Sequence, residues 1–89
     1  MDPETKAQVL IGNDAEEFVE SELGRTMLGM AEQDLKTAII KFDECPISDN
    51  AKLMDLKVEI RACRRFEQYL TELITRGREA FEAHKQQQE

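Results

Sequence analysis

The chain has no tryptophan, one histidine, two prolines, two cysteines and four glycines among its 89 residues. Without tryptophan it has no large aromatic anchor for a core. His84 is the lone histidine, and no Glu-x-x-His spacing accompanies it, which argues against a carboxylate-bridged di-iron site of the helical-bundle type. No metal or other cofactor is expected. Cys45 and Cys63 form no metal or redox motif. On antiparallel helices they would lie beyond a disulfide's reach, so reduced, intracellular thiols are expected, with Cys45 in a turn and more exposed than Cys63. Ser21 and Ser48 have no histidine nearby to activate them, and no histidine is placed to reach Cys45. No glycine-rich phosphate loop occurs. An enzyme is therefore not expected. No apolar run approaches 18 residues, so no membrane span is expected. No basic start leads into an apolar run after Met1, so no secretion signal is expected either.

Basic residues are also scarce, 12 against 19 acids, for a net charge of −7. The imbalance is local. Residues 13–47 carry nine acids and three bases, whereas residues 48–89 carry eight of each. A general nucleic-acid binder needs a basic face, and this composition argues against one. An acidic surface aimed at a basic partner stays open.

What the chain has in abundance is helical periodicity. From Asp49 to His84 there is no proline and one glycine. Leu53, Leu56, Ile60, Cys63, Phe66, Leu70, Ile74, Gly77 and Phe81 recur at steps of three or four, which keeps them on one helix face. As a single helix this run is roughly 50 Å long at about 1.5 Å per residue. No compact 89-residue domain hides such a rod, so the rest of the chain, or another chain, must cover the stripe.

Upstream, Asp2-Pro3-Glu4 reads as a helix start, and Gly12 reads as its stop. This predicts a short helix over 3–11. Asn13 or Asp14 then reads as a new cap, with Glu16 and Glu17 in capping-box position. A helix is predicted over 14–43, with Phe18, Leu23, Met27, Met30, Ala31, Leu35, Ala38, Ile39 and Phe42 on its apolar face. Gly24 and Gly29 interrupt it, each at a cost of up to about 1 kcal/mol against alanine, and close approach of a neighbouring helix would account for them. Pro46 marks a turn over 44–48. The long helix is predicted over 49–84, with a frayed tail at 85–89.

The fold class expected is therefore all-α, a long antiparallel two-helix hairpin with a short N-terminal helix, one domain over 1–89, oligomerising as a helical bundle. Folding about Pro46 pairs positions whose numbers sum to roughly 95. That register sets Phe66 near Gly29 and Leu70 near Gly24 or Arg25. It also sets Arg61 and Arg64 near Asp34 and Glu32.

Three groups of residues could contact a partner. Arg61, Arg64 and Arg65, with Lys57 one turn earlier, form the basic patch. It suits a phosphate or acidic partner, or pairing across the hairpin with Glu32 and Asp34. Exposed aromatics, which would favour single-stranded nucleic acid, do not interleave it. Asp14, Glu16, Glu17, Glu20 and Glu22 form an acidic face. It suits a basic protein, or simply the positive end of a helix dipole. Phe18, Leu23, Met27, Met30, Phe66, Leu70 and Ile74 form the apolar protein-interaction set, and Met54 adds to its adaptable side chains.

The stretch Phe18-Val19-Glu20-Ser21-Glu22-Leu23-Gly24-Arg25, followed by Ala31-Glu32-Gln33 and, after the turn, by Leu56, Ile60, Ala62, Phe66, Tyr69-Leu70, Ile74 and Gly77, resembles small, mainly helical proteins of tailed bacteriophages. The resemblance covers about residues 16–81 and brings no catalytic residue with it. It implies a viral protein that acts in the bacterial host cytoplasm or in the virion.

Two functions are expected from different classes. One is a non-enzymatic phage protein that self-associates, first as a dimer, and serves as a structural or adaptor subunit in assembly or packaging. The other is an acidic inhibitor of a host nucleic-acid-binding enzyme or defence system. The partner would be a second copy, or a phage or host protein. Neither reading calls for a membrane or a nucleic acid.

Overall fold

A computed structural model describes residues 1–88. The chain is all-helical, with helix α1 at Pro3–Glu20, α2 at Glu22–Glu44 and α3 at Asn50–Gln88, and no strand among the described residues. Among the described residues, no helix is long and apolar enough to cross a membrane.

Helix α1 begins at a side-chain cap. The Thr5 backbone N–H donates to Asp2 Oδ1 at 2.8 Å, the Thr5 hydroxyl donates to Oδ2 at 2.9 Å, and Pro3 opens the first turn. Such a cap occupies one of the donors that a helix start leaves free. The expected stop at Gly12 is overturned, because α1 continues without a break to Glu20. The capping box at Asn13 or Asp14 is overturned with it. Gly12 has a different use. A Cβ placed on it would lie 2.9 Å from Gly77 Cα and 3.1 Å from the Leu73 carbonyl oxygen. A Cβ on Gly77 would lie 3.0 Å from the Gln8 carbonyl oxygen. The two backbones touch here, and only paired glycines allow that approach.

The real break falls at Ser21. Its φ of −70° is already helical, but its ψ of 159° is extended. Its hydroxyl donates to the Phe18 carbonyl at 2.6 Å and accepts the Gly24 N–H at 3.0 Å. One side chain thus closes α1 and opens α2. Gly24 fits because a Cβ there would sit 1.6 Å from the Phe18 oxygen.

Helical phase explains why the chain breaks at this residue. The inward positions of α1 include Val9, Gly12, Glu16 and Val19. Their spacing runs on to Leu23, Met27 and Met30. In α2, however, the covered positions are Gly24, Leu28, Ala31, Leu35 and Ala38, with Cys45 at the C-cap. The two stripes are one residue out of step, about 100° of rotation at 3.6 residues per turn. A straight helix could turn only one of them toward α3. The kink turns both.

Along α3 the contact order descends. Cys45 shares a notch with Lys52 and Leu56, Leu35 borders Arg64 and Gln68, Phe18 meets Phe66, Gly12 meets Gly77, and Thr5 and Gln8 border Ala80 and His84. Both α1 and α2 therefore run against α3, in a body of 60 × 27 × 18 Å. The register that set Phe66 against Gly29 is overturned. The Phe66 ring meets Phe18 edge to face, with centroids 6.1 Å apart, and Gly29 has open space where a Cβ would stand. Cys45 is buried and Cys63 half-buried, the reverse of the expected order, because Cys45 continues the α2 stripe onto the start of α3. Asp49 Oδ1 accepts the Lys52 N–H and caps α3. Helix α3 extends to Gln88, past the end expected at residue 84, with the start of α1 alongside its last turns. Glu89 lies outside the described residues.

This assembly has little core. Among the described residues the buried apolar ones are Ala15, Ala38, Cys45 and Leu56, and no large side chain is fully buried. The chain exposes 7045 Å², whereas a compact monomer of its mass exposes about 5,400 Å². Its radius of gyration is 18.2 Å, against about 12 Å for a compact domain of this length.

Two outcomes are expected. Alanine at Gly77 would gain up to about 1 kcal/mol of helix propensity but collide with the Gly12 and Gln8 backbones. Overpacking of about 1–3 kcal/mol outweighs that gain, so Gly77→Ala lowers the melting temperature followed at 222 nm, and a rise would contradict the backbone contact. The hydrogen bond from the Thr5 backbone, then that from its hydroxyl, holds the Asp2 carboxyl below its ordinary 3.8. The cap therefore supports α1 above pH 3.8 and is lost as pH falls through the lower folded-state value. Exchange protection of the Thr5 amide should fall with acid in the native chain and be weak at every pH in Asp2→Ala.

Candidate protein-interaction surface

The apolar set named from sequence divides into two environments. Leu70 and Ile74 are half-buried along the contact between α3 and the arm formed by α1 and α2. Phe18 and Phe66 are half-buried in their mutual stack. Leu23, Met27 and Met30 remain in solvent, Leu23 and Met30 at 63% and 64%. The phase slip accounts for this division. These three continue the α1 stripe on a helix that has rotated to use another.

They are not alone on their side. In antiparallel helices, positions displaced in the same rotational sense from the contact line emerge on the same side of the pair. Phe18 and Phe66 identify that side. The α1 stripe through Phe18 is Ala7, Ile11, Asp14 and Phe18, at steps of four, three and four. The α3 stripe through Phe66 is Ala62, Phe66, Tyr69, Leu73, Arg76 and Ala80, again alternating four and three. The α2 stripe displaced in this sense is Leu23, Met27 and Met30, which gives way to Asp34, Thr37 and Lys41 toward the turn. Ile11, Tyr69 and Leu73 are exposed. The result is one apolar face spanning the α1–α2 junction and the middle of α3. Sequence reading missed Ile11, Tyr69 and Leu73 as members of it. Their three-and-four spacing was available as a second stripe, but only the packing order shows which stripe stays open.

The acidic residues do not act as one face. Glu16 turns toward α3, where Arg78 Nε donates to its Oε1 at 2.8 Å. Asp14, Glu17, Glu20 and Glu22 are exposed, and none pairs with a cation among the described residues. Glu16 and Arg78 border an open groove of about 490 Å³ between α1 and α3, beside Val9, Ile74 and Phe81. The ion pair is well exposed on the arginine side, and such pairs contribute at most about 1 kcal/mol.

Pairing of the basic patch across the hairpin is overturned. Arg61, Arg64 and Arg65, with Lys57, are exposed and make no ion pair among the described residues. Glu32 bonds instead to Lys36, four residues on in its own helix. The register is the cause, since Leu35 now borders Arg64 and Gln68. No group of three or more histidine, cysteine or acidic residues among those described is placed to hold a metal ion. His84 is half-buried beside Met1, Asp2, Thr5 and Gln8.

Because the three arginines make no ion pair among the described residues, replacing Arg61, Arg64 and Arg65 together with alanine should shift stability by no more than about 1.5 kcal/mol, at roughly 0.5 for each surface site. A loss of several kcal/mol in urea melts would reveal ion pairs absent from this structure. Compared with protein-family models, curated proteins and solved structures, the chain matches none.

Proposed function

We propose that the protein works by protein–protein contact, and that the first occupant of its apolar face is a second copy of itself. The observation carrying this reading is the exposed face formed by Ile11, Leu23, Met27, Met30, Tyr69 and Leu73 beside a core with no fully buried large side chain. A stable interface takes about 800 Å² from each partner. The surface in excess of a compact monomer is on the order of 1,600 Å², so one such interface fits within it. Two hairpins meeting on this face make a four-helix bundle, whose core the side chains of both copies complete. A rigid, paired rod without a catalytic constellation suits a structural or adaptor subunit. That role would belong to assembly or packaging, and the sequence resemblance to tailed-phage proteins would set it in the host cytoplasm or the virion.

A second reading rests on Asp14, Glu17, Glu20 and Glu22, which are exposed without cationic partners. They would present negative charge to a basic host protein and inhibit it. The two readings share Asp14 and otherwise use different residues.

The test is solution mass by light scattering after size exclusion, for the native chain and for Met30→Glu and Tyr69→Glu. Both residues are exposed within one copy, so neither change should disturb the helices directly. The native chain is expected at twice 10.3 kDa, with both variants shifted toward monomer at unchanged helix content. A native monomer at tens of micromolar, or variants that remain dimeric, would overturn the reading.

A further inference from the structure

The apolar face contains two charges of opposite sign. Asp14 sits between Ile11 and Phe18 in the α1 stripe, and Arg76 sits between Leu73 and Ala80 in the α3 stripe. They stand at the same level of the rod, because Gly12 meets Gly77 one turn away. They do not pair with each other: Asp14 is in no ion pair among the described residues, and Arg76 bonds to Glu72 of its own helix. Both are exposed. A pair between Arg76 and Glu72 on an open helix contributes only a few tenths of a kcal/mol, so Arg76 can turn to a better partner at little cost.

A second copy can lie on this face with its two-fold axis in the interface in either of two directions. With the axis across the rod, α1–α2 lies on the partner's α1–α2 with the levels reversed, so Asp14 comes opposite the partner's α1–α2 arm and not its α3. With the axis along the rod, levels are preserved and the sides exchange. Each α1–α2 arm then lies on the partner's α3, and Asp14 of each copy comes level with Arg76 of the other. We infer that the protein dimerises about a two-fold axis parallel to its long axis, with Asp14 and Arg76 forming two reciprocal rim pairs that select this orientation. The inference rests on the self-association proposed above. In this arrangement all four neighbouring helix contacts are antiparallel. The apolar stripes meet each other at the centre, and the opposed charges meet at the edge.

The experiment combines charge reversal with a distance. Asp14→Arg and Arg76→Asp should each weaken the dimer about tenfold or more by sedimentation equilibrium, and the double reversal should recover most of the loss. A spin label at Ser48→Cys, in a chain with Cys45→Ala and Cys63→Ala, should report an interchain separation under about 35 Å, because both turns lie at one end of a bundle whose helices pack about 8–10 Å apart. The crossed arrangement would separate the labels by a distance approaching the 60 Å length of the rod. A dimer with the long separation, or one indifferent to all three charge variants, would overturn the inference while leaving self-association intact. A native chain that stays monomeric would overturn both.

Discussion

Two apolar stripes, one residue out of step, must both be laid on a single long helix. That constraint determines the shape of the molecule. Helix α1 can reach α3 only with Gly12 against Gly77, and α2 can reach it only after rotating by about one residue's worth of turn. Ser21 absorbs the rotation in one backbone torsion, and its hydroxyl satisfies a carbonyl of α1 and an amide of α2. Gly24 gives the bend room. The rotation has a cost. Leu23, Met27 and Met30 would have faced inward on a straight helix, and the bend leaves them in water.

The exposed face is therefore a consequence of how the chain folds on itself. It holds six of the large apolar side chains left exposed in a chain with 40% hydrophobic residues. Apolar area removed from water is the main source of stability, at roughly 25 cal/mol per Å². A rod one helix pair thick removes less of it than a compact domain of the same mass. The paired glycines bring α1 close to α3 but contribute no side chain to bury. Any partner that covers Ile11, Leu23, Met30 and Tyr69 would supply what the hairpin lacks, and the function proposed here follows from that deficit.

Much of the helical content was legible in the sequence. The three-and-four spacing of α3, the cap at Asp2-Pro3 and the break at Pro46 are local signals, and local signals survive without tertiary context. The misread features all depend on what stands opposite. Gly12 resembles a helix stop, and nothing near it in sequence reveals that Gly77 will press against it. Gly24 and Gly29 look alike on paper, yet one sits under a carbonyl and the other faces open space. Ser21 lies within a continuous helical pattern, and its break shows only when the stripes on either side are compared in phase. Once that break is missed, the pairing of Phe66 and of the arginines fails with it. The apolar interaction set was half legible, because its residues were named but the open and closed members were not distinguished.

The central claim is that this fold is completed by a second chain. The dependence of thermal unfolding on protein concentration tests it most directly. If association supplies the missing core, the melting temperature followed at 222 nm should rise steadily as concentration increases from about one to several hundred micromolar, as mass action requires for a folded oligomer in equilibrium with unfolded monomers. A sharp cooperative transition whose midpoint does not move over that range would mean that the isolated hairpin is stable as it stands, and would contradict the claim.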